Sequence, residues 1–387
     1  MTPPPRGFAE AEFRSRVTRI QAKMQSSGLD AILVTTEPEV RYVTGFLTRF
    51  WESPSRPWFV IVPASGDPVA VIPSIGAHLM GQTWLNDIRT WPSPHPTDDG
   101  IGLVSDTLAE FTPPKGRIGV PSGAETHLRM PLKAWAELQS RLGARVFAAD
   151  DDILRDARMV KSPAEIAKSR QACAIANRAF DRVSQIAAEG VPLDQVFRHF
   201  QTLCLAEGAD WVGYLAGAAG QGGYGDVISP ATDTPLAVGD VLMLDTGCVW
   251  DGYFCDFDRN FSVGPPMTEV ATAHSKLLEA TAAAFEAAKP GATAAELWAA
   301  IEAVVRGGPD AGRFGHGLGM QLTEGLSILP HDHTILREGM VLTLEPSVEV
   351  SPGRLMVHEE NIVITATGAE YLSDPATGDL PVLECRP

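Results

Sequence analysis

The chain has 387 residues, 44% hydrophobic and 20% charged, which is the composition of a folded protein with room for two or three domains. Its 48 acidic and 31 basic residues leave a net charge of −17, so it repels phosphate backbones and nucleic acid is not an expected partner. No apolar run approaches the ~20 residues of a membrane span, which argues against a membrane partner; the start of the chain reads as having no apolar leader, and five cysteines without metal-finger spacing suit a reducing cytoplasm.

Phe13, Val17, Ile20 and Met24 recur at helical spacing. Residues 29–35 read as a buried strand, and 58–62 and 69–72 as a hairpin about Gly66-Asp67. Another strand is expected at 117–120, a helix at 132–142 and a strand at 145–147. This alternation predicts an α/β domain over residues 1–155. Ser162-Pro163-Ala164-Glu165 is a helix start, with a Ser cap, Pro in the first turn and Glu three residues after the cap. That helix is expected to run to Glu189 before Gly190, and a second follows Pro192. Helices at 269–288 and 293–306 are split by Lys289-Pro290-Gly291, and Thr293 with Glu296 repeats the capping pattern. Each helix pair precedes Gly-rich and strand-like chain, a loose doubling within residues 156–387.

The chemistry concentrates in residues 241–263, VLMLDTGCVWDGYFCDFDRNFSV. Asp251-Gly252 between apolar flanks is a hairpin signal. With those two residues as the loop, Trp250 pairs with Tyr253, Asp245 with Asp258 and Gly247 with Asp256. Asp245, Asp256 and Asp258 then share one face, and Tyr253, Cys255 and Phe257 the other. Three ionised carboxylates cannot crowd together uncompensated, so the pattern points to a cation, with Gly247 leaving room for it. Further ligands are available. His316 sits between glycines in Gly315-His316-Gly317-Leu318-Gly319, Glu345 ends the apolar run 341–345, and Glu359 and Glu360 lie in a third strand-like segment. Four buried carboxylates and two divalent ions sum to zero charge.

The order Asp245, Asp256, His316 in a GHGxG motif, Glu345 before Pro346, then Glu359 six residues before Thr365 resembles the pita-bread metallohydrolases, which include aminopeptidase P, prolidase and creatinase. The resemblance spans about residues 155–380; Tyr42-Val43-Thr44-Gly45-Phe46 and residues 158–163 also resemble the extra N-terminal domain of the creatinase and prolidase branch. It implies an α/β domain followed by an α+β domain with a curved, mainly antiparallel sheet, outer helices and metals in the concave face. It also implies that Asp245 binds one ion, that Asp256 and Glu359 bridge two, and that His316 and Glu345 complete the other. Asp258 stands where relatives commonly have Thr, as an extra ligand or a supporting group. The implied activity is a dinuclear hydrolase that cleaves the C–N bond of a small amide or Xaa-Pro-like peptide: a metal-bridging hydroxide attacks the carbonyl carbon, and Glu345 passes a proton to the leaving nitrogen. An oxygen-rich site with one His suits Mn²⁺, Fe²⁺, Co²⁺ or Zn²⁺. A homodimer is implied by the resemblance alone.

Two departures stand out. Peptidase relatives carry a histidine seven residues after the GHGxG histidine and another seventeen or eighteen before the first Asp. Here those places hold Thr323 and residues 227–229. His331, His333 and His358 are the substitutes considered, the first two as loop residues and His358 as facing away from Glu359. The departures leave two alternatives: a lyase acting on a small zwitterion, in the manner of dimethylsulfoniopropionate lyases, or a catalytically silent ligand-binding relative. Trp211, Tyr214 and Tyr224 are candidate pocket-wall residues. In dimeric relatives the N-terminal domain of one subunit reaches the other's site, which makes Trp51 and Arg56 candidate substrate contacts.

Overall fold

A computed structural model of the chain describes residues 2–53, 56–307 and 312–385. It divides into two compact units, Pro5–Arg158 and Met159–Pro387. Among the described residues no helix is long and apolar enough to cross a membrane.

The first unit holds strands β1 (Ala31–Val34), β2 (Phe59–Pro63), β3 (Val69–Pro73), β4 (Ile88–Trp91), β5 (Arg117–Val120) and β6 (Val146–Ala149). They form one sheet in the order β4-β3-β2-β1-β5-β6. β1 lies at its centre, antiparallel to β2 and parallel to β5. Burial on both faces explains its unbroken apolar run. Helices α1 (Glu10–Ser27), α2 (Glu37–Thr44), α3 (Ala77–Met80), α4 (Ile101–Phe111), α5 (Leu132–Arg141) and α6 (Ile153–Met159) accompany it. α1 stops at Gly28, whose φ of 64° lets its N–H turn back to Gln25 and Met24 carbonyls. α2 has too few residues to show a helical period and carries Pro38 in its first turn, so sequence periodicity passes over it.

In the second unit, α7 (Pro163–Phe180) begins with the expected capping box: Ser162 Oγ accepts from Glu165 N–H at 3.3 Å, and Glu165 Oε2 from Ser162 N–H at 2.9 Å. The helix ends at Phe180, not Glu189. The chain tightens there into a short 3-10 turn, Val183–Gln185, and places Val183 and Ala187 in the core beside α7. α8 (Leu193–Ala206), α9 (Thr268–Ala287) and α10 (Ala294–Val305) follow, the last with its Thr293–Glu296 capping box intact. The strands are β7 (Trp211–Gln221), β8 (Asp240–Trp250), β9 (Tyr253–Phe254), β10 (Phe257–Val263), β11 (Val341–Leu344), β12 (Ser347–Ser351), β13 (Arg354–Val357), β14 (Glu360–Ile364), β15 (Ala369–Tyr371) and β16 (Val382–Leu383). One sheet runs β16-β10-β8-β7 with β9 added on β8, a second β11-β14-β15, and a third β12-β13. All the pairings are antiparallel except β10 with β16.

β8 separates two cores. Leu242 and Leu244 pack with α7 and α8 residues, whereas Val241 and Met243 pack with α9, α10 and β11 residues. This is the period-two alternation of a strand covered on both faces. Asp245 continues the Val241–Met243 row, so the strand delivers a carboxylate where its own apolar pattern would place another core residue.

Candidate metal centre

The hairpin closes at Asp251 and Gly252, with φ of 47° and 81°, the left-handed pair that a two-residue turn requires. Trp250 pairs with Tyr253 and Asp245 with Asp258, as counted from the sequence. On the opposite face Tyr253 Oη donates to Glu165 Oε1 at 2.8 Å, and the Cys248 and Cys255 Sγ atoms lie 3.4 Å apart in the core. Between Phe254 and Phe257 the ladder opens. Asp256 N–H donates to Asn361 Oδ1 at 2.9 Å, and Asn361 Nδ2 donates back to the Asp256 carbonyl. Gly247 does not leave space for a cation. A Cβ there would meet Leu322 Cδ1, so its missing side chain admits Leu322.

The second contribution comes from the glycine-rich segment. His316 and Gly317 run between β11 and residues 326–328: Thr343 N–H donates to His316 O at 2.8 Å, and Gly317 N–H to Leu326 O at 2.9 Å. A Cβ on Gly317 would overlap the Glu324 carbonyl, so only glycine admits this approach. His316 Nδ1 lies 3.0 Å from Gly317 O. A carbonyl only accepts, so Nδ1 carries a proton, and Nε2, 3.3 Å from Asp256 Oδ2, is the ring nitrogen placed to face a cation.

Glu359 falls in the gap between β13 and β14, where its N–H donates to Asp258 Oδ1 at 3.0 Å. Ligand atoms of Asp256, His316 and Glu359, all buried, lie within 4.8 Å of one another. Asp245 and Glu345 line the same cavity. Four carboxylate oxygens of this group, Asp245 Oδ1, Asp256 Oδ1, Asp258 Oδ2 and Glu359 Oε1, are buried without a hydrogen-bond partner. Burial, then the neighbouring carboxylates, push the Asp245 and Glu359 carboxyls well above their ordinary range. Burial raises Asp256 against the pull of His316. Glu345 is pushed up to about 7, chiefly by burial; His316 opposes the shift, and Asp256 and Asp258 add to it. Buried acceptors with no donor are what a hard divalent cation satisfies.

His358 faces away from Glu359, outside the lining of the metal cavity, as a strand alternation expects. The strand is interrupted at 358–359, and the imidazole bridges Asp258 Oδ1 at 3.3 Å and Glu360 Oε1 at 3.2 Å. Arg259 closes this network, donating to the carbonyls of Asp258 and Glu359 and to Glu360 Oε2.

The cavity measures about 290 Å³. Tyr214 and Thr323 both line it. Tyr224 does not: its ring is fully buried, its Oη donates to Asn260 Oδ1 at 3.2 Å and accepts from Val357 N–H at 2.7 Å. Trp211 sits half-buried on β7 outside the lining. Trp51 and Arg56 belong to the first unit, Trp51 under the Arg129 guanidinium at 5.5 Å and Arg56 over Phe50 at 5.3 Å. His331 and His333 are exposed. Arg313, Leu322 and Asn361 escape sequence reading. The one available signal is the closeness of Arg313 to the GHGxG motif.

Residues 167–366, more than half the chain, match metallopeptidase family M24, and residues 16–160 match the creatinase/prolidase N-terminal domain. The chain belongs to metallopeptidase family M24. It is 30% identical over 377 residues to the probable dipeptidase PepE of Mycobacterium tuberculosis, covering 94% of this chain and 95% of that one. It is 27% identical over 368 residues to the Xaa-Pro dipeptidase of Pyrococcus horikoshii, covering 93% and 97%. The crystal structure of dipeptidase PepE from Mycobacterium ulcerans superposes with a TM-score of 0.83 at 28% identity, covering 98% and 100%. As an M24 member the chain is a metal-dependent peptidase and hence a hydrolase. Its relatives do not favour the lyase or silent-relative alternatives.

Proposed function

We propose that this M24 peptidase is a dinuclear divalent-metal dipeptidase, with Asp245, Asp256, His316, Glu345 and Glu359 as ligands and Xaa-Pro-like dipeptides as substrates. One observation carries the reading: four buried, partnerless carboxylate oxygens gathered beside a histidine whose Nε2 is turned towards them. Two divalent ions would balance the four ligand carboxylates. The similarity to an Xaa-Pro dipeptidase supports the substrate class. Five free cysteines suit a cytoplasmic setting. The homodimer and the choice of manganese rest on family likeness and ligand chemistry. The chemistry is assigned to a domain of residues 156–387, and every cavity residue lies within Met159–Pro387.

Bound divalent ions supply an acidified water and a Lewis acid for the scissile carbonyl. The chain's own residues do the rest. Tyr214 lines the cavity beside Asp245. Asp258 fixes the Glu359 backbone, and Gly317 O orients His316. Glu345, the least enclosed of the four carboxylates, moves a proton to the leaving nitrogen. Leu322 over Gly247 and the apolar Val227 and Leu355 restrict water in the cavity. Metal analysis of the purified protein should find two ions per chain, with hydrolysis of Xaa-Pro dipeptides. Asp256→Ala should lose both ions and at least about a thousandfold in kcat/KM. Full metal occupancy in that variant rejects the assignment.

A further inference from the structure

A second cavity, of about 270 Å³, lies behind the metal centre. The two share no lining residue: His358 belongs to the second, whereas Val357 and Glu359 belong to the first. Helices α7 and α9 bring Asn177 and His274 to its inner wall, and the segment after β15 brings Asp374 and Asp379 to its mouth. His274 is 4% exposed, and its Nδ1 has no hydrogen-bond partner in the protein. Burial lowers its pKa to about 4; His358 adds to the fall and Asp379 opposes it. The imidazole is therefore neutral near pH 7, with one lone pair and one N–H. An interior polar group left unpaired costs free energy, which a bound polar ligand would recover.

Charge decides what that ligand is. Two cations stand on the wall, and both are already engaged. Arg259 donates to the carbonyls of Asp258, Glu359 and Asp374 and to Glu360 Oε2. His358 sits between the Asp258 and Glu360 carboxylates. Asp181, Asp374 and Asp379 are exposed at the mouth, and the described lining residues include no other Lys or Arg. Phe180 and Phe261, both buried, supply an apolar wall. An anion would meet three carboxylates here. An ammonium group presents three donors and no acceptor, which suits carboxylates and an imidazole lone pair, and aromatic rings attract cations.

We propose that this cavity is a binding site for a small organic amine, its ammonium group held by Asp379 and His274 in the field of Asp181 and Asp374, and its apolar body against Phe180 and Phe261. The site goes beyond the peptidase reading and needs no metal.

Calorimetry with benzylamine, benzyl alcohol and phenylacetate tests it, on wild type with and without chelator and on Asp379→Asn and His274→Leu, each checked for melting temperature. Benzylamine should bind at least about tenfold more tightly than benzyl alcohol, and phenylacetate should not bind. Chelator should leave the benzylamine affinity unchanged. Asp379→Asn and His274→Leu should each weaken it about tenfold. Equal affinity for the amine and the alcohol overturns the proposal. So does an affinity that chelator abolishes, which would put the amine at the metals. Asp379 is exposed, so its substitution spares the core, and unchanged benzylamine binding in Asp379→Asn would also reject the site. No benzylamine binding up to about 10 mM would leave the cavity to water alone and reject it as well.

Discussion

Glu39 shows what a buried carboxylate does when it has a local donor. It is 4% exposed, and Thr36 Oγ1 donates to its Oε2 at 2.6 Å. Burial pushes its pKa above the ordinary 4.5, with the Thr36 hydroxyl and Arg158 opposing. The native state therefore holds this proton more tightly than the unfolded chain does. The resulting stability is complete below about pH 4.5 and is lost as the pH rises through the raised native value. Glu39→Gln cannot ionise, so its melting temperature should gain on wild type as the pH goes from 4 to 8. Equal differences at the two ends of that range would show that Glu39 titrates normally. The metal-centre carboxylates differ in kind. Asp256 Oδ1 and Glu359 Oε1 have no donor at all, and the glycines around His316 are spent on close backbone approach. At this scale the difference between a structural acid and a ligand lies in what its oxygens are left facing.

At the scale of elements, the β8–β9 hairpin determines which residues reach the centre. Its register follows from a two-residue loop, and a slip of one residue would turn Asp245 into the α7 core. A buried ion pair holds the loop: Lys168 on α7 meets Asp251 Oδ2, with side chains 2% and 7% exposed. Asp251 N–H also donates to Asp210 Oδ2 at 2.6 Å. Lys168→Met should cost about 3–5 kcal/mol in urea unfolding, because it strands a buried carboxylate. The double variant Lys168→Met/Asp251→Gly should regain much of that, since glycine keeps the positive φ and removes the charge. A loss below about 1 kcal/mol in the single variant would show that the turn alone sets the register. Of the elements, the capped helices and this hairpin were legible because their signals lie within a few residues of chain. The end of α7 and the break at 358–359 were not. Both depend on contacts with distant residues, Val183 and Ala187 with the α7 core and His358 with Asp258 and Glu360.

For the whole molecule, the centre is a stability problem that ligand binding resolves. Crowded, partly protonated carboxylates weaken the metal-free fold, and cations that bind only the native state add RT ln(1 + [M]/Kd), about 2.7 kcal/mol at a hundredfold excess over Kd. Manganese should raise the melting temperature of wild type, a chelator should reverse it, and Asp256→Ala should respond to neither; an equal metal response in the variant would place the binding elsewhere. The sequence alone determined the α/β alternation of the first domain, the face that Asp245, Asp256 and Asp258 share, and the spacing that marks His316, Glu345 and Glu359. Helical and strand periods, caps and two-residue turns are local physics, written over short stretches of chain. Only the tertiary structure decided that Leu322 fills the space over Gly247, that Tyr224 is locked in the core while Tyr214 reaches the cavity, that His358 bridges two acids, and that Arg313 brings a positive charge to the cavity wall. Each of these joins side chains from separate segments, and no periodicity encodes where a folded chain closes on itself.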